Sequence, residues 1–267
     1  MKRQQIAIIG SGISGLTCAY LLHEQHDITV FESNDYIGGH TNTVEIEHLE
    51  QALQVDTGFI VSNNRNYANF LKLMSELGVA LQPTEMSFSV TNKELNLEYN
   101  GHNVNTLFSQ RRNFFRPNFY RLVFDILKFN KMSKALVGKD LDAQLTLGDF
   151  TRASNLSDTF KDNYLLPMVA AIWSCSLKQA EDFPIEFFLR FFHNHGLLDI
   201  KNRPQWYVVK GGSKAYIEPL TANFRQRIKL KCPVTSVERA QSSITVNHAK
   251  GSSNFDQIIF ACHSDQA

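Results

Sequence analysis

Apolar and polar positions at the start of the chain change their period twice. Residues 5–10 form a short, continuously apolar run that ends in glycine, which is typical of a parallel strand covered on both faces. A helical pattern follows, with four small or apolar residues on one face: Gly12, Gly15, Ala19 and Leu22. A second apolar strand covers residues 28–31. The pattern predicts a strand–helix–strand unit of an α/β fold.

The turn of this unit has the spacing G-x-G-x-x-G, written here as Gly10-Ser11-Gly12-Ile13-Ser14-Gly15 and called the glycine turn below. We expect Gly10 to permit a sharp turn, Gly12 to let a pyrophosphate approach the backbone, and Gly15 to allow close helix–strand contact. Glu32 ends the second strand, where it can accept hydrogen bonds from a ribose diol. Its charge repels a 2′-phosphate, which disfavours NADP and leaves NAD and FAD open.

The pattern changes between residues 63 and 204 to longer helices with aromatic stretches. Residues 66–78 predict a helix ended by glycine, and residues 85–101 alternate like a β-hairpin. After Pro117 an apolar stripe predicts a further helix, on which these residues share a face: Phe119, Leu122, Val123, Ile126 and Leu127.

The other side of this helix is basic, and basic residues continue on both flanks: Arg111, Arg112, Arg116, Arg121, Lys128, Lys131, Lys134 and Lys139. We favour a core-packed helix with a solvated basic face. The alternative is a basic amphipathic helix that lies on an anionic membrane surface through residues 111–139. In that case the substrate includes lipid chains.

Composition places the chain among globular proteins. It has 27 Lys+Arg against 26 Asp+Glu, a formal charge of +1 and 43% hydrophobic residues. Near-neutrality removes the positive field expected of a general nucleic-acid binder, so nucleic acid is not an expected partner. No apolar stretch approaches the roughly 20 residues that cross a bilayer, and no signal peptide is predicted.

The cysteines are scattered and form no CxxC pair: Cys18, Cys175, Cys232 and Cys262. This usage favours a reducing compartment, so we expect a cytoplasmic protein, peripheral to the inner face of the membrane if residues 111–139 bind lipid.

The histidine pairs 193/195 and 23/26 lack ligand spacing, so no metal is predicted. The pattern G-x-S-x-G is absent, and no catalytic residue is assigned. Trp173 and the Phe187–Phe192 cluster are typical of a core, with a substrate cavity as the alternative.

Further motifs carry a family resemblance. Glu32 is followed by Gly38-Gly39, and residues 55–60 read Val-Asp-Thr-Gly-Phe-Ile. The chain resembles the superfamily of flavin-containing amine oxidases, protoporphyrinogen oxidases and phytoene desaturases, and within it bacterial NAD/FAD-binding, amine-oxidase-like oxidoreductases. The likeness continues through residues 85–90, 97–101, 167–174, 190–198, 203–206, 211–213 and 260–267. Gly38-Gly39 and Asp56-x-Gly58 disfavour an NAD-linked dehydrogenase.

The resemblance implies an α/β fold in which a discontinuous, Rossmann-like FAD/NAD(P)-binding domain is interrupted by an α+β substrate domain. We expect residues 1–62 and 205–267 to form the FAD-binding domain and residues 63–204 the substrate domain. It also implies a cofactor-binding set: Gly10, Ser11, Gly12, Ile13, Ser14, Gly15, Glu32, Ser33, Gly38, Gly39, His40, Thr41, Gly58, Phe59, Ile60 and Val234.

Within this set, residues 38–41 are expected near the phosphates and ribityl chain, and residues 58–60 near the isoalloxazine. The backbone of Val234 is expected at the adenine. Many relatives carry arginine where this chain has His40. Histidine is largely uncharged at pH 7 and stabilises a pyrophosphate less.

The resemblance further implies transfer of a hydride from a substrate C–H to flavin N5, with a small-molecule substrate. The Phe-rich centre favours an apolar lipid or acyl chain over an amine. Relatives run on much further, so we expect the closing part of the FAD domain to be missing, and the alternative to an enzyme is a truncated nucleotide-binding remnant without turnover. The oligomeric state is left open.

Overall fold

The computed structural model describes residues 2–241 and 243–267. The chain divides into two compact units. The first takes in Met1–Ser62, Tyr67–Pro83 and Tyr207–Ala267. The second takes in Asn63–Asn66 and Thr84–Trp206. Residues 67–83, which the sequence interpretation assigned to the inserted domain, lie in the first unit.

In chain order the strands are β1 (Gln5–Ile9), β2 (Asp27–Phe31), β3 (Thr43–His48), β4 (Gln51–Asp56), β5 (Ser62–Asn63), β6 (Leu81–Thr84), β7 (Ser89–Asn92), β8 (Leu97–Asn100), β9 (Trp206–Val209), β10 (Ile228–Lys229), β11 (Val234–Arg239), β12 (Ile244–His248), β13 (Gly251–Phe255) and β14 (Gln257–Phe260). The α-helices are α1 (Ile13–Leu22), α2 (Ala68–Glu76), α3 (Val104–Leu107), α4 (Pro117–Leu136), α5 (Leu147–Ala153), α6 (Asp158–Phe160), α7 (Leu166–Trp173), α8 (Leu177–Glu181), α9 (Ile185–Asn194) and α10 (Ile217–Thr221).

A parallel sheet forms the centre of the first unit. Its strand order is β10-β2-β1-β14, and Ile8 of β1 faces Val30 on one side and Ile259 on the other. Alternate residues of β1 pack on opposite faces: Ile8 lies with the apolar side chains of α1, α2 and α10, and Ala7 lies with those of β12 and β13. Both faces are therefore covered, as a parallel sheet requires. This confirms the predicted α/β fold with a Rossmann-like sheet.

The last antiparallel ladder includes a serine-rich strand. Residues 251–253 begin β13, where Ser252 pairs with Asn247 and Ser253 with Val246. Successive side chains of a strand point to opposite faces of the sheet, so a strand needs apolar residues on its buried face only. In β13 the buried apolar side chain is Phe255. The turn lies before Gly251, whose positive φ of 121° suits a strand start next to a turn.

The second unit is helical with a small hairpin. β7 and β8 pair antiparallel inside residues 85–101, as predicted, and α4 begins at Pro117, which suits the first turn of a helix. The predicted stripe on α4 is right for Phe119 and Leu122, which are buried, but wrong for Leu127, which is exposed. The buried face of α4 continues instead through Phe129 and Ser133. At 3.6 residues per turn these two positions lie on the same side of the helix as Leu122, and Leu127 does not.

The aromatic residues of the middle region form the core of this unit. Phe188 and Phe192 are completely buried, and their ring centroids lie 4.0 Å apart. Trp173 packs against Phe183 and Phe191 at 4.7 and 4.8 Å. None of the helices in residues 2–241 and 243–267 combines the length and apolarity needed to cross a bilayer.

Candidate functional site

At two positions of the glycine turn, neighbouring backbone atoms leave no room for a side chain. Gly10 has φ of 105°, and a Cβ there would lie 2.7 Å from the carbonyl oxygen of Ala261. A Cβ on Gly15 would lie 2.0 Å from the carbonyl oxygen of Gly10. Neither distance leaves room for a side chain, so these residues allow β1, α1 and the end of β14 to meet closely.

Gly12 differs from both, because a Cβ added to it would meet no atom of the described residues within 4 Å. Gly12 precedes α1, and no side chain in the described part of the chain caps this helix. Its first turn also carries no acidic residue, and the side chains of Ile13 and Ser14 are exposed. The N–H groups of the first helical turn, which have no intrahelical acceptor, and the positive end of the helix dipole thus lie beside this open space, which suits an anion.

Other helices of this chain do carry side-chain caps. Thr146 caps α5 through its bond to the Asp149 amide, and Ser176 caps α8 through its bond to the Gln179 amide. Among the described residues, several helices begin without a side-chain cap, as α1 does: α2, α4, α7, α9 and α10. The start of α1 is therefore distinguished by the open space at Gly12 and not by the missing cap alone.

The second glycine pair lies directly beside this turn. Gly38 forms a bridge with Gly12, and its amide donates to the Ser11 carbonyl at 3.0 Å. Gly39 has φ of 58°, and a Cβ there would lie 3.1 Å from the Gly12 Cα. The fold thus brings together two motifs that the sequence separates by more than twenty positions.

Glu32 is buried at the end of β2 and accepts four hydrogen bonds. One carboxylate oxygen receives the Ser11 amide at 3.0 Å and the Ser11 hydroxyl at 2.6 Å. The other receives the Asn34 amide at 2.8 Å and the Ser33 hydroxyl at 3.2 Å. Burial opposes ionisation, but these hydrogen bonds outweigh it and hold the pKa of Glu32 below its usual value of 4.5. The hydroxyls of Ser11 and Ser33 donate to Glu32 as the hydroxyls of a ribose diol would.

The segment that leads to Val234 runs along the end of β2. Glu32 donates its amide to the Lys229 carbonyl at 3.0 Å, and Cys232 donates its amide to the Glu32 carbonyl at 2.8 Å. Val234 begins β11 two residues later and is half-buried beside Phe31 and Cys232. The structure thus brings Val234 to the same edge of the sheet as Glu32.

Residues 40–42 and 57–59 lie side by side. The Thr57 amide donates to the Asn42 carbonyl, and the Phe59 amide donates to the His40 carbonyl, both at 2.9 Å. A Cβ on Gly58 would lie 2.1 Å from that His40 oxygen, so only glycine fits there. The Phe59 ring packs edge-on against Phe70 at 5.1 Å.

The remaining predicted residues of these segments differ in exposure. Thr41 is buried and its hydroxyl hydrogen-bonds the Tyr216 hydroxyl. The His40 side chain is exposed, with its ring 5.5 Å from that of His263. Ile60 is half exposed.

Asp56 joins two segments of the chain through hydrogen bonds, a role that was not predicted from the sequence. We call these bonds the Asp56 clamp. Its carboxylate accepts the Thr43 hydroxyl at 2.6 Å, the Ser213 amide at 2.8 Å and the Ser213 hydroxyl at 2.9 Å. Thr43 also accepts the Lys214 amide at 2.9 Å. Gly212 has φ of 90° and lies against Thr43, where a Cβ would come within 2.4 Å of the methyl carbon. The clamp therefore holds residues 212–214 against the β3–β4 hairpin.

Thr43, Ser213, Tyr216 and Ala261 support the site without having been predicted. Two segments that carried the family likeness without a stated role contain some of them: Ser213 lies in residues 211–213 and Ala261 in residues 260–267. Their partners lie far away along the chain, so spacing alone does not reveal them.

The residues present fit a dinucleotide. The glycine turn, the uncapped start of α1 and the ionised Glu32 all lie at the carboxyl ends of β1 and β2, where doubly wound sheets bind such ligands. The open space at Gly12 is the place where a pyrophosphate approaches the backbone in this arrangement.

Glu32→Gln is expected to lower the free energy of unfolding by about 2 kcal/mol at pH 7, because the new amide group donates toward groups that also donate. The folded-state pKa of Glu32 is depressed, so its stabilisation is fully present above about pH 4.5 and is lost as pH falls through the folded pKa. Urea unfolding should therefore show a gap between wild type and variant at pH 7 that narrows toward pH 3. Glu24→Gln, an exposed change in the same unit, is the control. A gap that widens in acid would contradict the assignment.

The sequence pattern of the family described as Flavin containing amine oxidoreductase matches residues 13–267. Amine oxidase [flavin-containing] A of Canis lupus familiaris is 26% identical over 277 aligned residues, which cover 91% of this chain and 47% of the dog protein. The chain thus spans about half the length of the curated relatives it matches.

Solved structures share the fold. Cyclohexylamine oxidase from Brevibacterium oxydans superimposes with a TM-score of 0.74 at 19% identity, covering 97% of this chain and 58% of that one. A CLA-producing fatty acid isomerase from P. acnes superimposes with a TM-score of 0.66 at 16% identity, covering 97% and 59%.

Proposed function

The chain belongs to the flavin-containing amine oxidoreductase family, and on that premise we propose that its first unit binds FAD for an oxidoreductase that removes a hydride from a substrate C–H bond. The observation that carries the proposal is the start of α1, where uncapped N–H groups and a side-chain-free Gly12 face open space beside an ionised Glu32. The bound flavin supplies the hydride acceptor, and the protein supplies binding and orientation.

Each part of the site has a proposed task. Residues 10–15, with Gly38 and Gly39, hold the pyrophosphate through backbone N–H groups. Glu32 and Ser33 receive the adenosine ribose, and the Val234 backbone meets the adenine. The remaining segments orient the flavin end: His40, Thr41, Gly58, Phe59 and Ile60.

An amine is the substrate class best supported for the whole protein, because the relative from dog is named an amine oxidase. The Phe-rich middle region favours an apolar chain instead. The most central of those rings are core residues, including Phe129, Phe160 and Phe188, which are completely buried. The fold itself does not decide between substrates, since it also occurs in a fatty acid isomerase.

Absorption spectroscopy of the full 267-residue chain with added FAD tests the proposal. Retained bands near about 370 and 450 nm after gel filtration are expected of a bound flavin. Anaerobic bleaching of those bands by amines, but not by unsaturated fatty acids, is expected if the substrate is an amine. A chain that cannot be reconstituted with FAD would favour the nucleotide-binding remnant.

We also propose a peripheral membrane contact through residues 111–139. This segment holds eight Lys and Arg against one acid, Asp125, although the whole chain carries only +1. Phe115 is 88% exposed and Phe124 is 65% exposed, with Arg121 and Lys128 beside them around a cavity of about 710 Å³. Exposed aromatic rings among cations suit the headgroup region of an anionic bilayer.

The double change Phe115→Ser with Phe124→Ser is expected to weaken binding to vesicles containing phosphatidylglycerol by at least about tenfold, because two apolar anchors are lost. Co-sedimentation with phosphatidylglycerol/phosphatidylcholine vesicles measures the effect. Tyr36→Ser removes an exposed aromatic ring from the first unit and should change nothing. Equal binding to vesicles of phosphatidylcholine alone would contradict the proposal.

A further inference from the structure

A second cavity of about 740 Å³ lies within the second unit. Its wall is formed by one face of α4, by residues 198–202 and by Arg65, which lies in the segment Asn63–Asn66 of this unit. The lining residues that matter are Arg65, Asn130, Lys131, Lys134, Asp199 and Lys201. This volume is in the range of small-molecule sites.

The cavity is strongly cationic. Asp199 pairs with Lys134 at 2.7 Å and with Arg65 at 3.3 Å. Partial burial raises the pKa of Asp199, but these two cations outweigh it and hold the pKa below its usual value. Lys131 and Lys201 have no carboxylate within ion-pair distance in the part of the chain that the structure describes. Four cations therefore face one anion, and Asp199 fixes two of them in position.

Two of the cations come from one side of α4. Lys131 and Lys134 lie three positions apart, which places their side chains next to each other on the helix surface. Both side chains are exposed, and both line the cavity.

We propose that this cavity binds a phosphate ester. The cations take the phosphate oxygens through charge-assisted contacts. Leu127, Leu198 and Ile200 line the rest of the wall and accommodate the carbon part of the ester. A soluble glycerol phosphate and a glycerophospholipid headgroup share this chemistry. The proposal does not depend on flavin binding.

Isothermal titration of the full chain with glycerol 3-phosphate tests the proposal, at constant ionic strength and with saturating FAD. Added FAD competes for phosphate held at the start of α1 but not for phosphate in the cavity. We expect saturable binding that falls at least about tenfold in the double variant Lys131→Ser with Lys201→Ser, since two charge-assisted contacts are lost.

Two matched controls keep the test specific. Lys139→Ser removes a cation beyond the end of α4, and Ser133→Ala removes a buried unpaired hydroxyl that does not line the cavity. Neither should change the affinity. Circular dichroism confirms that each variant is folded.

The two sources separate in a competition arm with phosphatidylglycerol vesicles. The arm uses the Phe115→Ser with Phe124→Ser variant, in which vesicle binding through the proposed aromatic anchors is weakened. Vesicles that displace glycerol 3-phosphate from it identify a lipid headgroup as the ligand, and vesicles that leave it bound identify a soluble ester. Binding no stronger than that of chloride, or an equal loss in the Lys139→Ser control, would overturn the proposal. Because the titration reads phosphate and not flavin absorbance, its failure leaves the proposed oxidoreductase function standing.

Discussion

Gly12→Ala is expected to leave the stability of the FAD-free chain within about 1 kcal/mol of wild type and to weaken FAD binding by at least about 100-fold. The stability should hold because φ of −68° suits alanine and the new methyl group meets no atom of the described residues within 4 Å. Lower chain entropy in the unfolded state offsets the poorer helix cap, each effect being about 0.5–1 kcal/mol. The affinity should fall because the methyl group occupies the space through which a pyrophosphate reaches the backbone N–H groups.

Gly15→Ala is the matched control with the opposite expectation. Its Cβ would lie 2.0 Å from the Gly10 carbonyl oxygen, a backbone atom that moves only if β1 and α1 separate. We expect a loss of at least about 3 kcal/mol in the free energy of unfolding, typical of severe overpacking. Urea unfolding without FAD and flavin fluorescence titration separate the two variants. If Gly12→Ala destabilised the chain as much as Gly15→Ala, the space at Gly12 would belong to the fold and not to a ligand.

The glycine turn was predictable because each residue's task is local. A strand, a turn and a helix lie within 22 residues, and the period of the apolar positions marks their limits. The contact of Gly38 with Gly12 follows once both are placed at one sheet edge. The role of Asp56 did not follow, because its partner Ser213 is more than 150 positions away and the bond depends on tertiary packing.

Composition leaves the role of the middle region open for a physical reason. Phenylalanine fills cores and lines cavities equally well, so its abundance does not tell which it does. The structure buries Phe129 and Phe192 completely and leaves Phe115 and Phe124 on the surface. A periodic stripe marks the buried face of a helix, but it does not reveal a second apolar face among basic residues.

Asp56→Ala is expected to lower the free energy of unfolding by about 3 kcal/mol and to weaken FAD binding. The change leaves the Ser213 amide, the buried Ser213 hydroxyl and the Thr43 hydroxyl without their acceptor. A buried donor left unpaired costs about 1–3 kcal/mol, and partial relaxation of the loop recovers some of the sum. The affinity should fall because residues 212–214 lead into Tyr216, whose hydroxyl holds Thr41 in the segment proposed for the flavin end.

Two further variants make the Asp56 prediction specific to hydrogen bonding. Asp56→Asn keeps one carbonyl acceptor at nearly the same size, so about half of the loss is expected. Thr57→Ala changes the next residue, whose hydroxyl bonds only the exposed Asn42, and should stay within about 0.5 kcal/mol of wild type. Urea unfolding at pH 7 ranks all three. If Asn and Ala at position 56 were equally damaging, charge rather than the acceptor geometry would hold residues 212–214, and the clamp would be an ion–dipole contact that high salt weakens.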